Sequence, residues 1–392
     1  MSTARLHATR GPIVLLLLGA FVLNAATSAV FALLAELQRT YHLPDYGLGL
    51  LSAAAFASSL VAQLTLAGWA DRGYARHLLL VGLGLAIASA VLFAAGSTLS
   101  VFVIARMMSG LAAGVFLPSA RAIAAGLDAD HLARNLGRLA GAELAGFTLG
   151  PVAGTVVFGW LGLKAPFLVL AIPAALVLVT LAWQPLPAPP RSTATPRPSL
   201  TMLRLRRVRV AALLNVAIFL PVGIYDSLWA RYLEDRGAST LFVGVSLTLY
   251  TVPFVLLAPL GGRLADRIGP VRCVLVALCL AAPVVWAYGL LSRPGLIAGI
   301  ALVDAVFQAV AVPSAQAAMA KAAPPDRVAA GQGLAGASQQ AIAAVVSLVA
   351  APIYASAGSS VVFGGAALAM LLVGALATFD ASRGRVTDPV GA

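Results

Sequence analysis

Charge is scarce in this sequence. Only 10% of its 392 residues are Asp, Glu, Lys or Arg, against about a quarter in an ordinary soluble domain. So few charges cannot cover a chain that is 60% hydrophobic, which excludes a soluble protein of two or three domains; the solvent around this chain is lipid. Cysteine is nearly absent. Cys273 and Cys279 stand in one apolar run, and a spacing of six puts them on different faces of a helix, so neither a disulfide nor a metal pair is expected. Of four histidines, His7, His77 and His131 fall in tails or connectors and His42 in a loop on the other side. A His-Glu-x-x-His motif, a serine elbow and a Gly-x-x-x-x-Gly-Lys loop are all missing, so neither metal nor triad hydrolysis nor an ATP motor is supported. No enzyme activity, metal or cofactor is expected.

What is present is a series of apolar runs. A bilayer core needs about 20 helical residues to cross it. Runs of that order occupy residues 12–36, 47–69, 77–96, 99–125, 136–160, 164–183, 208–233, 240–262, 270–291, 295–320, 328–356 and 359–379. Twelve spans place both termini on one side. No Ala-x-Ala exit follows the first run, which reads as a retained first helix. Of the 26 Lys and Arg, five (Arg39, Lys164, Arg231, Arg236, Arg293) fall on the side away from the termini, Arg106 lies within a span, and the other 20 share the termini's side. The positive-inside bias then makes both termini cytoplasmic. The net charge of +12 sits in connectors, where it suits anionic headgroups; nucleic acid is not an expected partner.

The chain is doubled. Ala70-Asp71-Arg72 recurs as Ala265-Asp266-Arg267, and Pro118-Ser119-Ala120 recurs at the same offset as Pro313-Ser314-Ala315. One six-helix unit used twice gives halves at 1–183 and 208–392. The connector 184–207 carries prolines at 185, 187, 189, 190, 196 and 198 and then a basic cluster. It reads as an extended cytoplasmic linker whose basic end lies along the inner leaflet.

Polar groups at membrane depth are costly and become functional candidates by default. Arg106 either faces a wet cavity or an acidic partner, or snorkels to the interface. Three acids lie well inside spans: Glu143, Asp226 and Asp304. Low dielectric favours the protonated form of a carboxyl, which is what proton coupling requires. Structural hydrogen bonding and substrate contact are the other readings for each. Helix counting puts Asp226 and Asp304 at depths similar to Arg106, and Glu143 nearer the cytoplasm. Asn24, Phe56, Gln63, Phe116, Phe147, Tyr225, Trp229, Tyr250, Phe254, Phe307, Gln308, Gln339 and Gln340 are candidates to line a cavity for an apolar or amphipathic substrate. Gly146, Gly150 and Gly154 share one helix face, with Pro151 beside it, and permit close approach of another helix.

The doubled loop, the six-plus-six spans and the central linker resemble the major facilitator superfamily over essentially the whole chain. Gly262 to Gly269 follow the family's loop pattern; in the first copy Ala67, Trp69 and Tyr74 depart from it. Gly146…Gly150-Pro151…Gly154 and Arg106…Gly110 resemble the helix-5 and helix-4 motifs of the twelve-helix drug:proton antiporters. The resemblance implies an all-α membrane fold of two pseudo-symmetric six-helix bundles working by alternating access. It implies proton-coupled export of small amphipathic compounds by a monomer in the inner membrane, with Arg106 associated with proton coupling. A carrier of one metabolite, such as a sugar, amino acid or siderophore, is the alternative, and a non-transporting sensor the remote one. It further implies that the helix-5 glycine motif faces the other half near helix 8. Asp71, Arg72 and Arg76, with Asp266 and Arg267 as counterparts, are expected to form cytoplasmic latches, Asp71 pairing with Arg121.

Overall fold

The computed structural model describes residues 3–66, 69–127, 132–184, 199–324 and 328–382. Among these are twelve α-helices: α1 Thr3–Tyr41, α2 Asp45–Thr65, α3 Ala75–Ala95, α4 Leu99–Leu127, α5 Leu132–Leu161, α6 Ala165–Trp183, α7 Arg206–Glu234, α8 Thr240–Ile268, α9 Pro270–Tyr288, α10 Pro294–Ala322, α11 Val328–Ala357 and α12 Ser359–Ser382. Eleven carry an apolar stretch long enough to cross a bilayer, and α8 contributes a shorter one, Thr240–Phe254. The fold is an all-α membrane fold. Trp160 and Trp183, 82% and 84% exposed, end α5 and α6 and so stand at opposite ends of their bundle, where aromatic rings favour the membrane–water interface.

The chain forms two compact units. The first holds 1–196 with Trp229–Glu234 and Ala238–Thr248; the second holds Arg197–Leu228, Asp235–Gly237 and Leu249–Ala392. With little hydrophobic effect available between helices in lipid, packing depends on close backbone approach. In the first unit an added Cβ at Gly146 would stand 2.1 Å from Phe21 O, and at Gly150 2.1 Å from Ser28 Oγ and 2.4 Å from Ala25 O. That is the α1–α5 seam. Gly110 and Gly114 of α4 approach α2 as closely, with Ala55 O at 2.1 Å and Ala62 Cβ at 2.6 Å. The second unit has the same two seams with the glycine moved to the partner helix. A Cβ added at Gly223 of α7 would stand 2.6 Å from Ala343 O of α11, and one at Gly261 of α8 would stand 2.6 Å from Ala309 O of α10.

The repeated Pro-Ser-Ala motif keeps its local geometry. Ser119 Oγ donates to Val115 O and Ser314 Oγ to Val310 O, both at 2.7 Å. Each serine is buried four residues along its own helix, so the hydroxyl costs nothing in unsatisfied polarity.

The Asp-Arg loops differ more than their spelling suggests. In the second half α8 runs through the motif to Ile268, and Gly269 at φ 93° turns the chain into α9. In the first half α2 stops at Thr65, and a π turn over Ala70–Tyr74 contains Gly73 at φ 98°. Gly73 thus supplies the left-handed residue that Tyr74 cannot. The side chain of Asp71 lies outside the described set, as do residues 67, 68 and most of the linker, 185–198. The linker's basic end is anchored. A 3-10 turn at Ser199–Arg204 buries Met202 against Val208, Met319 and Leu334, while Arg209 makes a two-point contact with Asp380 at 2.7 Å.

Candidate functional site

Asp304 is the most enclosed of the described acids of the second unit. Its residue is fully buried on α10. Tyr225 of α7 and Tyr250 of α8 both donate to its Oδ2, at 3.0 and 3.1 Å. Oδ1 is buried and accepts no hydrogen bond among the described residues. The Tyr225 ring stands edge-on to those of Tyr250 and Tyr288, each at 6.0 Å. Tyr288, the last residue of α9, was not among the sequence candidates: a tyrosine closing a span reads as an interface anchor, and only the fold turns it inward.

A second polar cluster lies deeper toward the linker end. Asn215 is fully buried; its amide donates to Ala211 O at 2.9 Å and Ala315 O at 3.3 Å, and its carbonyl accepts from Gln339 at 2.8 Å. Gln308 and Asp226 are also buried, while Phe254 and Phe307 are half-buried. Asn215 was missed because a lone Asn in an apolar run carries no sign of its partners, which arrive from α10 and α11.

In the first unit Arg106 is buried on α4, 1% exposed. Its Nε donates to Leu51 O at 3.4 Å and its guanidinium lies 5.2 Å from the Phe31 ring centroid. Such a stack on an aromatic face helps to hold a cation away from water. Phe31 in turn meets Phe147 edge-on at 5.7 Å. The burial and the stack hold the guanidinium inside the first unit. Asn24 bonds Ala20 O of its own helix and Gln63 bonds Ser59; Phe56 is half-buried. Phe116 departs from the cavity expectation. It is fully buried in the apolar core of this unit, its ring against Gly19 and its Cα and Cβ against Gly82. Trp229 is buried too and donates to Ser246 Oγ at 3.2 Å.

The motif residues are placed as follows. Arg121 donates to Glu143 at 2.6 Å, an ion pair between α4 and α5. Arg76 bonds Ala182 O at 2.8 Å, Arg72 and Arg267 are exposed, and Asp266 lies 3.9 Å from Lys321. Gly146, Gly150 and Gly154 face α1, not α8. The residues that meet Gly244 at the start of α8 are Pro151 and Thr155, on another face of α5, and Thr248 donates to Thr148 O at 2.8 Å. At the end away from the termini the first unit also carries an ion-pair cluster, Arg39 with Glu36 and Glu234 at 2.6 Å and Arg231 with Asp45 at 2.5 Å. Arg39 is well exposed but Glu234 only 7% exposed. A double-mutant cycle over Arg39→Ala and Glu234→Ala, read by thermal unfolding in detergent, is therefore expected to return a coupling of about 1 kcal/mol, the upper end for such pairs. A coupling near zero would make the pair incidental.

The Major Facilitator Superfamily profile matches residues 16–226 and 211–390. The chain is 30% identical over 286 residues to multidrug resistance protein MdtG of Salmonella paratyphi C (strain RKS4594), covering 67% of this chain and 69% of that one. It is 26% identical over 168 residues to multidrug resistance protein 2 of Bacillus subtilis (strain 168), covering 43% of this chain and 42% of that relative's length. Among solved structures it is similar in fold to the nucleoside transporter NupG (TM-score 0.77, 10% identity, 94% of this chain and 98% of that one). It is also similar to a bacterial homolog of the human lysosomal transporter Spinster (TM-score 0.75, 13% identity, 97% and 96%). Doubled helical bundles, matching seams and a match over both halves together establish that the chain belongs to the Major Facilitator Superfamily of membrane transporters.

Proposed function

We propose that this chain is a proton-coupled exporter of small amphipathic compounds, in which Asp304 carries the proton. The observation that carries this reading is the Asp304 carboxyl, fully buried among tyrosines with one oxygen uncommitted. A carboxyl in such a place changes its charge only by exchanging a proton. The likeness to multidrug resistance proteins supports an efflux role, and the mixed aromatic and amide side chains suit substrates with a large apolar body. In this reading the two halves, 1–183 and 208–392, alternate access around a central site. Protonation from outside weakens substrate binding and drives the return to the inward-open form; release of the proton inside readies the carboxylate for the next substrate. Arg106 supplies the fixed positive charge of the first half. The protein works as a monomer in the inner membrane with both termini in the cytoplasm.

Purified protein in liposomes with an imposed pH gradient tests this. A lipophilic dye is expected to accumulate against its own gradient, and a protonophore should abolish the accumulation. Dye flux that is the same with and without the pH gradient would remove proton coupling. Movement of a single polar metabolite, with no dye transported, would replace the multidrug reading with that of a dedicated carrier.

A further inference from the structure

We propose that the hydroxyls of Tyr225 and Tyr250 are coupling groups that transmit the charge of Asp304 to the α7–α8 hairpin; this rests on Asp304 being the proton carrier. Both hydroxyls donate to the same oxygen, Oδ2, while Oδ1 is buried and accepts nothing among the described residues. Hydrogen bonds to a charged acceptor are roughly twice as strong as neutral ones. A proton arriving on Oδ1 turns Oδ2 into an ordinary carbonyl oxygen. One protonation thus loosens two helices together, without moving the proton into either hydrogen bond.

The far end of the hairpin is held separately: Arg231 pairs with Asp45, Arg39 with Glu234, and Thr248 donates to Thr148 O. Asp304 therefore grips both helices of the hairpin at once, through Tyr225 of α7 and Tyr250 of α8.

Other ionisable groups are accounted for around it. Tyr288 of α9 is the third phenol of this cluster, its ring edge-on to that of Tyr225 at 6.0 Å. Asp226 is the buried neighbour of Tyr225 on α7. The described titratable groups of α11 and α12 are Tyr354, which donates to Asp235, and Asp380, which pairs with Arg209; neither faces Asp304.

Tyr225→Phe, Tyr250→Phe and the double variant keep the rings and remove only the donors. Donors to a carboxylate favour its charged form, so their loss lets the proton bind at higher pH. The pH midpoint of gradient-driven transport is expected to rise by roughly one unit per hydroxyl lost. The double variant should also lose most gradient-driven accumulation. Fluorotyrosine at 225 or 250, a stronger donor that keeps the hydroxyl, should move the midpoint downward, and it covers the case in which the phenylalanine variants misfold. A wild-type midpoint and wild-type accumulation in all of these, with Asp304→Asn uncoupled, would reduce the hydroxyls to packing. Accumulation retained by Asp304→Asn itself would instead overturn the proton-carrier reading.

Discussion

Asp304→Asn is expected to leave a folded protein whose accumulation of substrate against a pH gradient falls to the level of empty liposomes. The amide is close in shape to the carboxyl, and its carbonyl oxygen can still accept from Tyr225 and Tyr250, which now meet Oδ2 at 3.0 and 3.1 Å. The side chain therefore keeps its packing in a site where an unpaired polar group would be costly. What it loses is the ability to take up and release a proton. Exchange of labelled for unlabelled substrate at equal pH, which needs no net proton movement, is expected to survive. The thermal midpoint should hold or rise, because a buried charge has been removed without opening a cavity. Gradient-driven accumulation by this variant would transfer the proton to Asp226, and the parallel Asp226→Asn measurement would then carry the loss.

Gly146→Val and Gly150→Val are expected to prevent accumulation of folded protein. A Cβ at either position would collide with α1, 2.1 Å from Phe21 O in one case and 2.4 Å from Ala25 O in the other. Carbonyl oxygens of a helix cannot swing aside as side chains do, so α1 and α5 must separate along their seam. Overpacking of this kind costs about 1–3 kcal/mol or more, a large share of the 5–15 kcal/mol that holds a typical domain together. Gly141 on the same helix has nothing within 4 Å, so Gly141→Val is the internal control and should be well tolerated. Monodisperse protein recovered by size-exclusion chromatography from the Gly150 variant at wild-type yield would contradict the seam. The same experiment separates folding from transport: these glycines then act by joining two helices of one unit, and a loss of function on substituting them reads first as a loss of assembly.

Much of the fold was legible because lipid imposes a simple rule. Twelve apolar runs became twelve helices, and the duplicated Pro-Ser-Ala motif kept even its serine back-bond. Helix ends were read less well. The run at 240–262 extends as helix to Ile268 while the run at 47–69 stops as α2 at Thr65, since hydropathy falls in the Asp-Arg loops whether or not the backbone stays helical. The glycine face of α5 was visible from its four-residue spacing; its partner was not, because spacing says that a helix comes close without saying which one. Within the candidate site, Asp304, Tyr225 and Tyr250 stood out as polar or aromatic groups at depth. Their convergence on one carboxylate oxygen depends on α7, α8 and α10 meeting, and no local pattern encodes that. Phe31 was overlooked for the converse reason. A phenylalanine in an apolar helix is unremarkable until an arginine from α4 is found over its ring. Arg121 was expected to serve Asp71, whose side chain lies outside the described residues; among those described, Arg121 donates to Glu143, one helix further along the chain.

The α1–α5 seam also sets a schedule for making the protein. Tyr41 ends α1 and Leu132 begins α5, so about 90 residues of chain are synthesised before the surface that α1 fits exists. At roughly 5–20 residues per second, α1 waits in the bilayer for on the order of 10 s. Throughout that interval the carbonyls of Phe21 and Ala25 and the hydroxyl of Ser28 face lipid or an insertion partner, with no glycine yet to receive them. Although α1 precedes α2–α5 in the chain, it is thus among the last of its bundle to be seated, and nascent chains halted before α5 should be the ones that quality-control proteases recognise.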